Sequence, residues 1–168
     1  MNTIRSYIDI INELKLGGRD PASLRAAAAA AATAAQPSQP NTGIQWYVCS
    51  NLKLTISNYP NLKETFKARI ISFIDAKISL SNDGRKPIPR IGNTDEPLAG
   101  KDYPAWPPGS WHYHVAEHNY SLVYFMVGGK PPMIKLFGVY SHDHMGTGSK
   151  KNPRLQKSIG DKLARMRD

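Results

Sequence analysis

The chain has 168 residues and a net charge of +9, with 40% hydrophobic residues, which fits one domain of roughly 100–150 residues with an additional segment. Its one cysteine excludes an intrachain disulfide and a cysteine-based zinc finger. No apolar run reaches the ~20 residues of a membrane span and no signal-peptide pattern opens the chain, so we expect a cytoplasmic protein with an acidic partner: nucleic acid, an acidic protein or an anionic membrane surface.

The first 43 residues are expected to lie outside the main domain, which we place at 44–168. Residues 17–43 contain an alanine run followed by prolines and other turn-forming residues, a composition typical of a linker. Residues 1–16 have apolar side chains at spacings of three and four, which predicts an amphipathic helix. This helix either packs on the main domain or serves partner docking or oligomerisation. Its apolar residues are Ile4, Tyr7, Ile8, Ile11 and Leu14.

The main domain is predicted to start with a strand and a helix. Residues 44–56 alternate apolar and polar side chains and indicate a first strand. Pro60 begins a helical pattern that continues to about Leu80, with one broad apolar face. The lysines are expected on its other faces, at Lys63, Lys67 and Lys77. Residues 84–110 are rich in proline and glycine and are interpreted as a long irregular loop.

Three strands and a helix are predicted for the C-terminal half. Residues 111–115, 120–127 and 133–142 have strand composition and short connections, so we expect antiparallel pairing. Asn152 and Pro153 favour the start of a basic C-terminal helix. Its apolar stripe consists of Leu155, Ile159, Leu163 and Met166. The order of elements predicts an α+β fold, an antiparallel sheet packed with helices.

All five histidines lie within residues 112–144. Alternation places His112 and His114 on one face of a strand, and the same holds for His142 and His144 if the third strand continues that far. The cluster has three interpretations: polar residues on a solvent face, a metal site that also uses Glu117, or metal-free acid–base catalysis. The fifth histidine, His118, falls in a predicted turn and is expected to matter less.

Acid–base catalysis by these histidines would suit RNA cleavage, which needs a base for the 2′-hydroxyl, an acid for the leaving oxygen and cations for the phosphate. Residues 150–168 contain seven basic and two acidic residues, a net charge of +5. A basic helix end that is simply solvated remains the alternative, because cations favour helix C-termini. The residues expected to bind phosphate are Lys150, Lys151, Arg154 and Lys157.

One stretch of the chain resembles a known family. WHYHVAEHNYSLVYFMVGGKPPMIKLFGVYSHDHMGTG, followed by NPRLQKSIGDKLARM, is similar to the toxins of the RelE superfamily, in particular to the YafO-like mRNA interferases. The shared features are an H-x-H strand, an L-V-Y strand, an apolar strand that ends near histidine, and a basic closing helix. The resemblance extends over about residues 45–168.

The resemblance implies the toxin of a type II toxin–antitoxin system, a ribosome-dependent endoribonuclease without cofactor or metal. Its partners would be mRNA, ribosomal RNA and an acidic antitoxin. Tyr140 and Tyr113 would then position or stack on a base, and Tyr140 joins the catalytic set. Two alternatives stay open: a non-catalytic module that binds RNA or the ribosome, and a cupin-like metalloenzyme. The catalytic set is His112, His114, His142, His144 and Tyr140.

Overall fold

The computed structural model describes residues 43–82, 88–98, 105–116, 119–129, 131–147 and 151–166. The predicted helix 1–16, nearly all of the linker 17–43, and the residues Glu117, His118 and Lys150 lie outside these ranges. Among the helices of the described ranges, none combines the length and the apolar character that crossing a bilayer requires.

The described residues form one five-stranded sheet flanked by helices. The strands are β1 (Gln45–Val48), β2 (Asp95–Pro97), β3 (Ser110–Ala116), β4 (Tyr120–Val127) and β5 (Met133–Ser141). The helices are α1 (Ser50–Ser57), α2 (Lys63–Asn82), α3 (His142–Met145) and α4 (Pro153–Met166). The predicted α+β class is confirmed. The sheet order is β1–β5–β4–β3–β2, and the sheet is mixed because β1 runs parallel to β5.

Each face of the sheet has its own apolar core. On one face α2 contributes Phe66, Ile70, Phe73 and Ile74, all fully buried, against side chains of β3, β4 and β5. On the other face Ile159 and Leu163 of α4 join a second cluster. Burial of one large apolar side chain stabilises the fold by roughly 1.5–3 kcal/mol. The second cluster also includes Val123, Phe125, Phe137, Tyr140 and Met145.

The predicted single strand over 44–56 is wrong. Pairing with β5 ends at Val48, and α1 follows after Cys49. Leu52, Thr55 and Ile56 are the buried residues of α1, and the last two follow Leu52 by three and four positions, the spacing of one helix face. The Thr55 hydroxyl accepts a hydrogen bond from Val139 N at 2.9 Å. Helix α1 therefore covers the part of the β5 edge that β1 leaves unpaired.

The interpretation of 84–110 as one irregular loop is also wrong, because it contains β2, which pairs antiparallel with β3. Lys77 is fully buried rather than on a polar face, and its Nζ lies 2.6 Å from Asp95 Oδ2. Asp95 also accepts hydrogen bonds from the Tyr124 hydroxyl and from Ile91 N. Burial lowers the pKa of Lys77, and the hydrogen bond to Asp95 opposes that shift.

Helix α4 begins as expected. The Asn152 side chain accepts hydrogen bonds from Arg154 N and Leu155 N, which is the N-cap arrangement. Leu155, however, is 37% exposed, and Gln156 is buried in its place. Gly160 permits close packing, since a side chain there would collide with the Ala105 carbonyl oxygen.

Candidate active site

Of the four histidines that the structure describes, three converge on the α4 face of the sheet. The ring centroids of His112 and His114 lie 5.0 Å apart, and those of His114 and His142 lie 5.2 Å apart. The third separation, between His112 and His142, is 6.3 Å. The fold therefore brings together histidines from two separate segments of the sequence.

Strand register explains the convergence. His114 pairs with Ser121 on β4, and Ser121 pairs with Tyr140 on β5. Side chains at paired positions lie on the same face, so the β4 residue stands between the two histidine-bearing segments. The Ser121 hydroxyl lies 3.2 Å from His142 Nε2, within hydrogen-bond distance. This contact holds the His142 ring towards β3.

His144 does not share a face with His142, which corrects the expectation of a continuing strand. Strand β5 ends at Ser141, whose side chain accepts a hydrogen bond from His144 N and so begins the helical turn α3. Residues two apart lie on roughly opposite sides of a helix. His144 is therefore exposed, and its ring contacts Tyr140 with centroids 5.6 Å apart.

The two tyrosines named in the sequence analysis are both buried. Tyr140 is 4% exposed, and its hydroxyl accepts a hydrogen bond from Asn51 Nδ2 at 2.6 Å. Burial raises the pKa of Tyr140 to about 12, which makes proton release near neutral pH unfavourable. Tyr113 packs in the core on the α2 face, so the expectation that it stacks on a base is wrong.

His112 is the most buried of the described histidines, at 7% exposure. Burial lowers its pKa to about 4, with further contributions from His114 and His142, while Asp95 opposes the shift. The ring is therefore neutral at pH 7. Among the described residues its buried Nδ1 has no hydrogen-bond partner. Because a buried N–H without an acceptor is costly, we assign the proton to Nε2, which faces Glu96.

Sequence reasoning missed two charged residues beside this cluster. Glu96 pairs with His112 across β2 and β3, and its Oε2 lies 3.9 Å from His112 Nε2. Arg90 Nη2 lies 3.8 Å from Glu96 Oε1, and Arg90 Nε donates a hydrogen bond to the Asp95 carbonyl oxygen. The side chains of Arg90 and Glu96 are each about half exposed. The only local signal was the acidic stretch IGNTDEPLAG, whose place beside β3 depends on long-range pairing.

The start of α4 is hydrogen-bonded to the end of α3, the histidine turn that carries His142 and His144. Gly146 ends α3, and its carbonyl oxygen accepts hydrogen bonds from Asn152 N at 2.9 Å and from Gln156 Nε2 at 2.7 Å. Lys151 and Arg154 are exposed near this junction. Lys157 is exposed too, but it pairs with Asp161 at 2.9 Å, so part of its charge is compensated.

Comparisons of the chain with models of protein families, with curated proteins and with solved structures found no match.

The arrangement of the histidine cluster can also be compared with what a metal site requires. Within the described ranges, no set of three or more His, Cys, Asp or Glu side chains is arranged to hold a metal ion. A cupin-like site also requires a jelly roll of two sheets, whereas the part of the chain described here forms one sheet between helices. The site offers three imidazoles close together and the Glu96 carboxylate beside His112, and the turn that carries His142 is hydrogen-bonded to the start of α4.

Proposed function

We propose that the chain is the toxin of a type II toxin–antitoxin system, a RelE-superfamily, YafO-like endoribonuclease that cleaves mRNA on the ribosome in the cytoplasm. The observation that carries the proposal is the convergence of His112, His114 and His142 next to the basic start of α4. Imidazole is the side chain best suited to proton transfer near neutral pH. Two imidazoles at one site supply the acid and the base that RNA cleavage needs.

His114 and His142 are assigned as the acid–base pair, because both are half-buried and thus reach the surface. One imidazole removes the proton from the 2′-hydroxyl, and the 2′-oxygen attacks the adjacent phosphorus. The bond from phosphorus to the 5′-oxygen breaks, and the other imidazole protonates that oxygen. The products are a 2′,3′-cyclic phosphate, which water can open to a 3′-phosphate, and a 5′-hydroxyl end. No metal ion takes part in these reaction steps.

His112 lies behind this pair and is assigned a positioning role. As a neutral ring with Nε2–H directed at Glu96, it adds no second positive charge next to the acid. His144 is exposed on the turn that carries His142, and its ring contacts Tyr140. The Tyr140 hydroxyl is bonded to Asn51, so its contribution is to packing and ring placement.

Substrate affinity is assigned to the cations of the surrounding surface. Lys151 and Arg154 are exposed beside the histidine turn, and Lys150 precedes them in the chain. Lysine and arginine bind the phosphates of RNA and release counterions, which gives affinity without sequence specificity. An acidic antitoxin would bind the same surface and mask it.

Expression of the full chain in bacteria tests the function. We expect growth arrest and new mRNA 5′ ends that map to translated codons, and we expect naked mRNA to be cleaved much more slowly than mRNA in a purified translating system. Ribosome binding with no new 5′ ends would instead identify a non-catalytic ribosome-binding module. Cleavage lost on chelation and restored by a transition metal would support a metalloenzyme.

A further inference from the structure

An apolar cavity of about 290 Å³ lies beside the hairpin between β4 and β5. It is lined by Ile88, Trp111, Met126, Val127 and Pro132, together with the two glycines of the hairpin. Trp111 precedes His112 on β3, and successive strand residues point to opposite faces. The cavity therefore belongs to the face of the sheet opposite the histidines, and the proposed chemistry does not use it.

The wall of this cavity is held in place. The Trp111 ring stacks on Tyr124, with centroids 6.3 Å apart and planes inclined by 25°. Lys77 Nζ lies 5.8 Å from the centroid of the same ring. Both neighbours are buried and belong to the Asp95 network, so the cavity does not depend on a ligand to form.

The chain enters the fold next to the cavity. Gln45 N donates a hydrogen bond of 2.8 Å to the carbonyl oxygen of Pro132, a lining residue. Gln45 also pairs with Met133 at the start of β5. The residues before Gly43, 42 in number, are thus attached at the hairpin where the cavity lies.

The N-terminal segment has the pattern of a groove-binding helix. Ile4, Tyr7, Ile8 and Ile11 occupy positions i, i+3, i+4 and i+7, the anchor spacing of amphipathic helices that bind apolar grooves. We infer that residues 4–14 dock as a helix in this cavity within the same molecule. The linker 17–43 spans roughly 30 Å when flexible, at about 5–6 Å times the square root of its length, which suffices to reach a neighbouring site.

Residues 4–14 of the same molecule are favoured over those of a second copy, because the linker attaches them to the domain that holds the cavity. A short flexible linker gives an effective concentration in the millimolar range. At micromolar protein the tethered segment therefore outcompetes the same segment of another molecule by about a thousandfold. A dimer exchanging its N-terminal segments becomes favourable only at much higher protein concentration.

The test uses the full chain with ¹³C-labelled methionine methyl groups and compares Ile8→Asp with Ser6→Asp. Both variants add one negative charge, but Ser6 lies on the side of the predicted helix away from Ile8 and Ile11. Met126 lines the cavity, and Met145 is fully buried in the other core. We expect Ile8→Asp to shift the Met126 methyl signal, Ser6→Asp to leave it in place, and Met145 to be unchanged in both.

Two results overturn the inference. A Met126 signal that is the same in wild type and Ile8→Asp means that this segment does not fill the cavity. A Met126 signal that moves to the Ile8→Asp position when wild-type protein is diluted into the low micromolar range means that a second copy is the occupant. A signal independent of concentration, together with a monomeric mass by light scattering, supports docking within one molecule.

Discussion

The rings of His114 and His142 lie 5.2 Å apart across β4, although one belongs to β3 and the other to the turn after β5. Ser121, on the strand between them, holds His142 in this orientation through a contact of 3.2 Å. The pairing of β3 with β4 and of β4 with β5 thus brings the two histidine-bearing segments together. A change that shifts either register would separate the two rings.

The first prediction concerns the basic surface. Replacing both Lys151 and Arg154 by glutamine is expected to weaken ribosome association and to reduce the slope of log affinity against log salt by up to about 2, because each lost phosphate contact releases one counterion fewer. Binding is measured by sedimentation at several salt concentrations. Arg69→Gln is the control, since it removes one positive charge from an exposed site on α2. Equal slopes in all variants would show that Lys151 and Arg154 do not bind phosphate.

The second prediction concerns pH and stability. The pKa of His112 falls from its ordinary 6.5 to about 4 on folding, so protonation favours the unfolded chain. The free energy of unfolding should therefore decrease as pH falls from about 6.5 to about 4, by on the order of 3 kcal/mol from this group. His112→Asn should flatten that part of the pH profile in urea unfolding, whereas Val115→Ala should lower stability at every pH without changing its slope. A His112→Asn profile parallel to that of the wild type would contradict the assignment.

The third prediction concerns the buried ion pair. Removing one partner, as in Lys77→Met or Asp95→Asn, leaves a buried group without its counterpart and is expected to cost about 3–5 kcal/mol. The double variant should cost clearly less than the sum of the two single variants. Denaturant unfolding of all four proteins gives the coupling energy. Simple additivity would show that the contact of 2.6 Å contributes nothing specific.

The fourth prediction concerns the N-terminal region. Deleting residues 1–42 should leave the rate of mRNA cleavage within about twofold of the wild type, because the cavity next to the chain entry lies on the other face of the sheet from the histidines. The truncation stops before Ile44, which is buried in the core. The cleavage rate and the near-UV circular dichroism are measured on the same preparation. A truncated protein that folds but does not cleave would place part of the site in residues 1–42.

Local patterns in the sequence were sufficient to predict β3, β4 and β5 and the start of α4. These strands are rich in β-branched and aromatic residues and are joined by short turns, and Asn152 caps its helix through neighbours only two and three residues away. The convergence of His112, His114 and His142 could be expected for the same reason, because their strands are close in sequence.

Most of the errors share one physical cause, which is dependence on partners distant in the chain; the expected continuation of β5 to His144 failed for a local reason, the Ser141 cap of α3. The three residues of β2 become a strand only through pairing with β3. Helix α1 competes with a longer β1 for the edge of β5, and the Thr55 and Asn51 side chains decide that competition by bonding to β5. The local pattern predicts a surface lysine at Lys77, because its buried partner Asp95 is distant in the sequence. Glu96 and Arg90 enter the candidate site by the same strand pairing.

The most direct test of the central claim is the chemistry of the cleaved ends in the His114→Ala and His142→Ala variants. In a purified translating system without added transition metal, the wild type should produce 2′,3′-cyclic or 3′-phosphate ends and 5′-hydroxyl ends. Each variant should lose about 10²–10⁴-fold in rate while keeping ribosome binding, and His118→Ala should lose much less. Products with 3′-hydroxyl ends, or wild-type rates in both variants, would contradict the histidine mechanism.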